Sequence, residues 1–362
     1  MVIPKNISEV STGWLSEALN AEVSAIDIVQ IGQGVGLMGD IYKVGVTCTD
    51  GSAGSSASKG VPKSVVVKLP SSFEENRTQG VALGMFEAEV KFYSELAGEC
   101  PVGLPEVYYT DIKVGEADFV IVMEDLSDMA LVSQFDGMNA EQAMAAVKVL
   151  ASIHAIWWQQ TDRDALSWIP TMTGPRIEFV DAILPPMLPK FTEGFTQYLP
   201  EGGIEIFSKF VGNYLPLMKV MAERSPWTLA HQDYRVENLL FGSDRVVVID
   251  WQGIGLGPGA YDLAYILGGS MDTELRRANE TALLEAYHGQ LVADGVSDYS
   301  YDQLKEDYAH AHLLGGLATS MITGGGMDLS NERGLQLIST MASRHAAAAL
   351  DHDGLGRLAD II

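Results

Sequence analysis

Cysteine is nearly missing: 362 residues hold only Cys48 and Cys100. Two thiols are too few for a disulfide framework or a cysteine-built zinc site. There is no run of about 18 apolar residues, so a spanning helix is not expected. Residues 1–15 lack the basic-then-apolar order of a secretory leader. Together these absences give the expectation of a cytoplasmic protein. Positive charge is scarce too, with 23 Lys and Arg against 48 Asp and Glu, a net charge of −25. Nucleic acid is therefore not an expected partner, because phosphate backbones are held by Lys and Arg. The acidic excess suits a neutral or cationic small substrate, and it is equally what solubility or a salty habitat alone would give.

What is present is enough apolar material, 47% of the chain, for a sizeable core and two domains. Strands are expected at 26–31, 41–48 and 64–69, then at 107–109 and 118–123, from alternation or short apolar runs. Residues 49–60 are small and polar and read as an exposed connection, with disorder a possibility there. Apolar residues at Leu83, Phe86, Val90, Tyr93 and Leu96 predict one helix over 79–98. From Asn139 onward the pattern is helical, over 139–160, 276–293, 301–321 and 331–350. Residues 170–225 mix proline, glycine and aromatics with helical pieces, and a single further strand is expected at 245–250. No internal repeat is found. The expected fold is α+β: an N-terminal lobe at 1–125 with a small antiparallel sheet, a mainly helical lobe at 126–362, and a cleft between them.

The segment Gln30-Ile-Gly-Gln-Gly-Val-Gly-Leu-Met-Gly-Asp-Ile-Tyr-Lys-Val44 contains Gly34, Gly36 and Gly39 at G-x-G-x-x-G spacing. A dinucleotide fingerprint needs a helix directly after its last glycine, whose N-terminus holds the pyrophosphate. Here a strand-like Asp-Ile-Tyr-Lys-Val follows. A glycine loop between antiparallel strands is the arrangement of a kinase phosphate flap, where backbone N–H groups lie over phosphate oxygens. A plain glycine-rich hairpin has the same sequence pattern.

A second constellation is more specific. His231-Gln-Asp-Tyr-Arg-Val-Glu-Asn238 is followed by Leu-Leu-Phe-Gly and then Val-Val-Val-Ile-Asp250-Trp-Gln. H-x-D, an Asn five residues on, and an Asp closing an apolar strand form the catalytic-loop and metal-ligand pattern of kinases. A short hairpin would set Asn238 and Asp250 toward one magnesium ion, with Asp233 toward an acceptor hydroxyl. Lys68 closes an apolar Val-Val-Val run, where burial requires a carboxylate partner. Glu87 and Glu89 on the next helix are available, and Glu89 is preferred. Met123-Glu-Asp-Leu126 closes the last N-terminal strand, placing backbone groups of Glu124 and Leu126 where adenine would bind. His154, beside Trp157 and Trp158, reads as a satisfied core histidine.

These motifs, with Phe86-Glu-Ala-Glu-Val-Lys-Phe-Tyr93, Leu150-Ala-Ser-Ile-His-Ala155 and Gly257-Pro-Gly-Ala-Tyr-Asp-Leu-Ala264, resemble the aminoglycoside phosphotransferase and choline kinase superfamily. Within it the chain is most similar to ecdysteroid-kinase-like bacterial phosphotransferases. The resemblance runs from about residue 30 to 265. It implies a protein-kinase-like bilobal fold and ATP- and Mg2+-dependent phosphorylation of a hydroxyl on a small molecule. By position it implies Asp233 as catalytic base, Asn238 and Asp250 as magnesium ligands, and Lys68, paired with Glu89, as a phosphate contact. His231 and Asp262 would support the loop.

Two departures stand out. Gln232 occupies a position that is usually glycine, and no Ala-Pro-Glu segment follows Asp250, so a protein substrate is not expected. Arg235 could contact phosphate or pair with Glu237 or Asp262. The competing readings are a nucleotide-binding regulator without transfer activity and, from the glycines alone, a nicotinamide oxidoreductase. The acceptor is left open among sugars, aminoglycosides, amino alcohols, sterols and hydroxyacyl thioesters. Trp157, Trp158, Tyr198 and Trp227 could line its pocket or simply pack the core.

Overall fold

The computed structural model describes residues 1–32, 39–48, 61–100 and 102–361. Gly34, Gly36 and the 49–60 stretch lie outside the described residues. The chain forms two compact units: residues 1–129 with 248–253, and residues 130–247 with 254–362.

The first unit opens with α1 (Thr12–Leu19), whose N-cap Ser11 accepts a hydrogen bond from the Trp14 N–H. Then come β1 (Val23–Ile31), β2 (Gly39–Cys48) and β3 (Ser64–Pro70), α2 (Glu74–Ala82) and α3 (Met85–Lys91), and β4 (Val107–Ile112) and β5 (Phe119–Glu124). The five strands form one sheet in the order β1-β2-β3-β5-β4, every pairing antiparallel. Val44, Val65, Val67, Leu69, Val120 and Val122 pack with Val10 and Leu15 into its core. Lys68 sits on the central strand, paired with Ile41 on one side and Ile121 on the other. Gly39 opens a strand rather than a helix, so the context a dinucleotide fingerprint requires is missing.

The single helix expected over 79–98 is a correction. α2 ends at Ala82, and the chain turns at Gly84 with φ 66° before α3. A π-turn at Phe92–Leu96 and a 3-10 turn at Ala97–Glu99 then finish the segment. The apolar spacing survives these breaks because each short piece keeps its face on the core, with Phe86, Val90, Tyr93 and Leu96 buried. Spacing alone therefore cannot report the breaks.

The second unit begins with β6 (Ala130–Leu131). It continues through α4 (Ala140–Ile156), α5 (Pro175–Phe195), α6 (Gly203–Phe210), α7 (Tyr214–Arg224), β7 (Trp227–Ala230), β8 (Leu239–Phe241), β9 (Val246–Val248) and β10 (Gly255–Pro258). Helices α8 (Ala260–Gly269), α9 (Thr273–Ala293), α10 (Tyr301–Ala311), α11 (Gly315–Gly326), α12 (Glu332–Asp351) and α13 (Gly354–Ala359) complete it. α4 starts on a capping box between Asn139 and Gln142. β6, β8 and β9 form one small sheet, and β7 pairs with β10 in another. The single strand expected past residue 139 is thus four in this stretch, each too short to display an alternation. The helix expected over 301–321 is two, interrupted at 312–314. α5 is one continuous helix despite Pro185, Pro186 and Pro189 inside it. Ile177, Leu184, Phe191 and Phe195 share its buried face, and that packing outweighs the lost backbone donors. Trp157 and Trp158 are core residues, whereas Tyr198 is exposed. No helix among the described residues is long and apolar enough to cross a membrane.

The second unit buries His312 and His345. Burial, reinforced by nearby Arg276, holds both imidazoles neutral, pushing His345 down to about 3 and His312 well below the ordinary range. In the unfolded chain each takes up a proton near pH 6.5, so falling pH favours unfolding from about 6.5 downward. Each such histidine contributes a slope of up to about 1.4 kcal/mol per pH unit. The urea midpoint is therefore expected to drop clearly between pH 7.5 and pH 5. An unchanged midpoint over that range would contradict the buried neutral pair.

Candidate functional site

In the first unit, the Lys68 ammonium donates to both oxygens of Glu89, at 2.8 and 2.7 Å, and to Asp250 Oδ1 at 3.0 Å. Lys68 and Glu89 are buried. Burial works against the ammonium, but Asp250 and Glu89 outweigh it and hold its pKa above the ordinary lysine range. Burial also lifts the Glu89 carboxyl, against the pull of Lys68. Glu87 does not join them and instead pairs with Lys91 at 2.6 Å on the same helix. Gly39 closes over this lysine: a Cβ there would meet the Leu69 carbonyl at 3.0 Å and Lys68 Cε at 3.2 Å.

Asp250 has φ 67°, a left-handed conformation that a non-glycine residue rarely adopts. The next residue holds it there. The Trp251 ring stacks on Phe92 with centroids 3.8 Å apart, and its indole N–H donates to the Val248 carbonyl at 3.1 Å. Gln252 Nε2 donates to Asp250 Oδ2 at 3.3 Å.

Further along the sheet, Glu124 ends β5. Its N–H donates to the Glu106 carbonyl at 2.8 Å, and the Leu126 carbonyl accepts from the Met129 N–H at 2.9 Å. Between them, Asp125 accepts from Lys43 at 2.8 Å and also from Ser64, and it is held down at about 2: burial alone would raise it, and these hydrogen bonds overcome that.

In the second unit, the loop after β7 is fixed from α8. Asp262, fully buried, accepts from the backbone N–H of His231 at 2.6 Å and of Gln232 at 2.8 Å. The same carboxylate meets His154 Nε2 at 3.2 Å, while His154 Nδ1 meets the Tyr287 hydroxyl at 2.7 Å. His231 Nδ1 accepts from the Asp233 N–H at 3.3 Å.

These anchors present the Asp233 carboxylate. Its Oδ1 accepts from the Tyr265 hydroxyl at 3.2 Å, and its Oδ2 from Asn238 Nδ2 at 3.0 Å. Asn238 Nδ2 also donates to the Asp233 carbonyl at 2.8 Å. The nitrogen end of that amide is therefore committed to Asp233, which leaves its oxygen end as an acceptor for another group. Arg235 pairs with Glu237 rather than Asp262, and its Nε lies 3.4 Å from Asp233 Oδ1. Tyr265 had no signal in the sequence. It stands 32 residues past Asp233 on a helix whose side chains are all buried.

Gln232 adopts φ 64°, the region glycine favours. Its side chain runs across Gly255, where a Cβ would come within 2.0 Å of Gln232 Nε2. Gly255→Ala is expected to push Gln232 aside, costing about 1–3 kcal/mol of stability by overpacking. Chemical denaturation checks this, and an alanine variant as stable as the parent would contradict the close approach.

Asn238 and Asp250 offer hard oxygen ligands of the kind magnesium takes, and Lys68 offers a cation. Within the first unit, Asp250 beside Lys68 fits a magnesium-bound phosphate, and within the second Asn238 offers an oxygen of the same kind.

The fold is that of small-molecule kinases. A choline kinase of Cryptosporidium parvum superposes with TM-score 0.55 at 11% identity, over 93% of this chain and 91% of that one. A choline kinase of Streptococcus pneumoniae gives 0.52 at 16%, over 93% and 99%. An aminoglycoside 2'-phosphotransferase solved as its GDP complex gives 0.51 at 13%, over 98% and 93%. By sequence, an uncharacterized kinase-like protein of Caenorhabditis elegans is 26% identical over 233 residues, 61% of this chain. An uncharacterized oxidoreductase of the same organism is 24% identical over 332 residues, 82% of this chain. The chain spans 60% and 39% of the lengths of these two relatives. The model of the ecdysteroid kinase-like family matches residues 33–296, which contain Lys68, Glu89, Asp233, Asn238 and Asp250. On that match, with the α+β kinase-like fold beneath it, the chain belongs to the ecdysteroid kinase-like family.

Proposed function

We propose that this protein is an ATP-dependent kinase that transfers the γ-phosphoryl group to a hydroxyl of a small molecule. The observation that carries the reading is the buried Lys68, gripped by Glu89 and Asp250. A lysine kept charged in the interior needs a task beyond packing, and holding α- and β-phosphates is one that fits. MgATP, when bound, supplies the phosphoryl group and the cation that offsets its developing charge.

In this assignment Asn238 and Asp250 are the magnesium ligands, and Gly34, Gly36 and Gly39 belong to the flap over the phosphates. The Glu124 carbonyl and the Leu126 N–H take adenine. Asp233 orients the acceptor hydroxyl and takes its proton as that oxygen bonds to phosphorus and the bond to the β-phosphate oxygen breaks. Tyr265 and Asn238 hold the carboxylate in place for that step.

The test is ADP release from ATP across sugars, aminoglycosides, amino alcohols, sterols and hydroxyacyl thioesters. Acceptor-dependent ADP release, absent in Asp233→Asn, supports the assignment. Binding of NAD in place of MgATP would overturn it.

A further inference from the structure

Arg176, the second residue of α5, is held without a carboxylate; Arg344 also donates only to carbonyls, but Asp272 and Asp136 act on its charge. Arg176 Nη2 donates to Gln232 Oε1 at 2.8 Å and to the Ile254 carbonyl at 3.1 Å, and both partners are neutral. Arg224, Arg235, Arg276, Arg277 and Arg357 each pair with a carboxylate. Among the described residues Arg176 has no such partner, and burial pulls its pKa below the ordinary arginine range against the smaller opposing effect of the Tyr261 and Tyr214 phenols. A half-buried guanidinium without a counter-charge carries a desolvation cost. In a chain with 48 acidic residues against 23 basic ones, a carboxylate partner was readily available.

Gln232 adds a second donor. Its Nε2 is buried with no hydrogen-bond partner among the described residues. The residue holds a left-handed backbone to place this side chain, and Gly255 leaves the room for it: a Cβ there would also lie 2.8 Å from Arg176 Nη2. Arg176, Gln232 and Gly255 therefore form one arrangement whose spare capacity is all donor. It adjoins Asp233 directly in the chain.

We propose that the acceptor is an alcohol that also carries an anionic group, a carboxylate or a phosphate, held by the Arg176 guanidinium and Gln232 Nε2 while its hydroxyl faces Asp233. The proposal rests on Asp233 being the base of the kinase reading. The overall charge of −25 does not oppose it. Exposed charges are screened beyond roughly 8 Å at physiological salt, whereas a guanidinium–oxyanion pair acts at contact.

The test compares the full-length protein with Arg176→Met and Arg176→Lys. Malonate and inorganic phosphate are titrated into each protein saturated with MgADP, and ADP release is followed with glycerol, glycerate, glycerol phosphate and ethanolamine. Both anions are expected to bind the parent and to bind Arg176→Met about ten- to a hundred-fold more weakly, the size of a lost charge-assisted hydrogen bond. Arg176→Lys keeps the charge and should keep most of the affinity. Any acceptor turned over should be anionic, with KM raised more than kcat falls in Arg176→Met. Equal anion affinity in parent and Arg176→Met overturns the proposal. So does preferred turnover of glycerol or ethanolamine with KM unchanged in Arg176→Met. Failure of the parent to bind MgADP would instead remove the kinase reading itself, and the acceptor role of Arg176 with it.

Discussion

Asp233→Asn is expected to lower turnover by about 10²- to 10⁴-fold, the range spanned by a positioned general base, with little change in MgATP affinity. Asparagine has the shape of aspartate, and the contacts that hold residue 233 come from Tyr265, Asn238 and its own backbone. The variant therefore retains the loop and loses the group that accepts the proton. Steady-state kinetics beside nucleotide titration separates the two effects. Unchanged turnover would remove Asp233 from the role, and a parallel fall in MgATP affinity would move it to the nucleotide.

The second large effect is expected from Glu89→Gln. Its carboxylate is buried and carries two of the three ion contacts of Lys68. Breaking a buried pair by removing one partner costs about 3–5 kcal/mol, since the other charge is left behind in the interior. Asp250 still faces the ammonium at 3.0 Å, so the lower end of that range is expected. Turnover should fall as well, because Lys68 is then drawn to Asp250 alone. Glu87→Gln serves as the control, since it removes only the pair with Lys91 on a helix surface, worth about 0.3–0.5 kcal/mol. Equal unfolding midpoints for Glu89→Gln and the parent would contradict the buried ion triad.

Much of the first unit was legible in the sequence because its strands are long enough to alternate and its lysine is anomalous where it stands. A charge closing Val65-Val-Val has to find a carboxylate, and helix α3 offered two. Choosing between Glu87 and Glu89 is a question of which helix face turns inward, and the burial of Glu89 answers it. The loop around Asp233 was legible through local spacing, since Asn238 reaches back only five residues. What lies far away in sequence was not. Tyr265 is 32 residues past Asp233, and Arg176 is 56 before Gln232. No periodicity carries such pairings. Local breaks were also hidden, because the turns at Gly84 and at 312–314 leave the apolar stripe intact on either side. The short strands β7, β8 and β10 escaped for want of length, and α5 because three prolines argue against a helix that tertiary packing nonetheless keeps.

The central proposal is that Asn238 and Asp250 are ligands for the magnesium of the nucleotide. It is tested most directly by titrating ATP into the parent, Asn238→Ala and Asp250→Asn, each with and without Mg2+. The account predicts tight binding by the parent only with magnesium, and loss of that magnesium dependence in both variants. ATP binding indifferent to magnesium in the parent, or undiminished magnesium dependence in either variant, would contradict it.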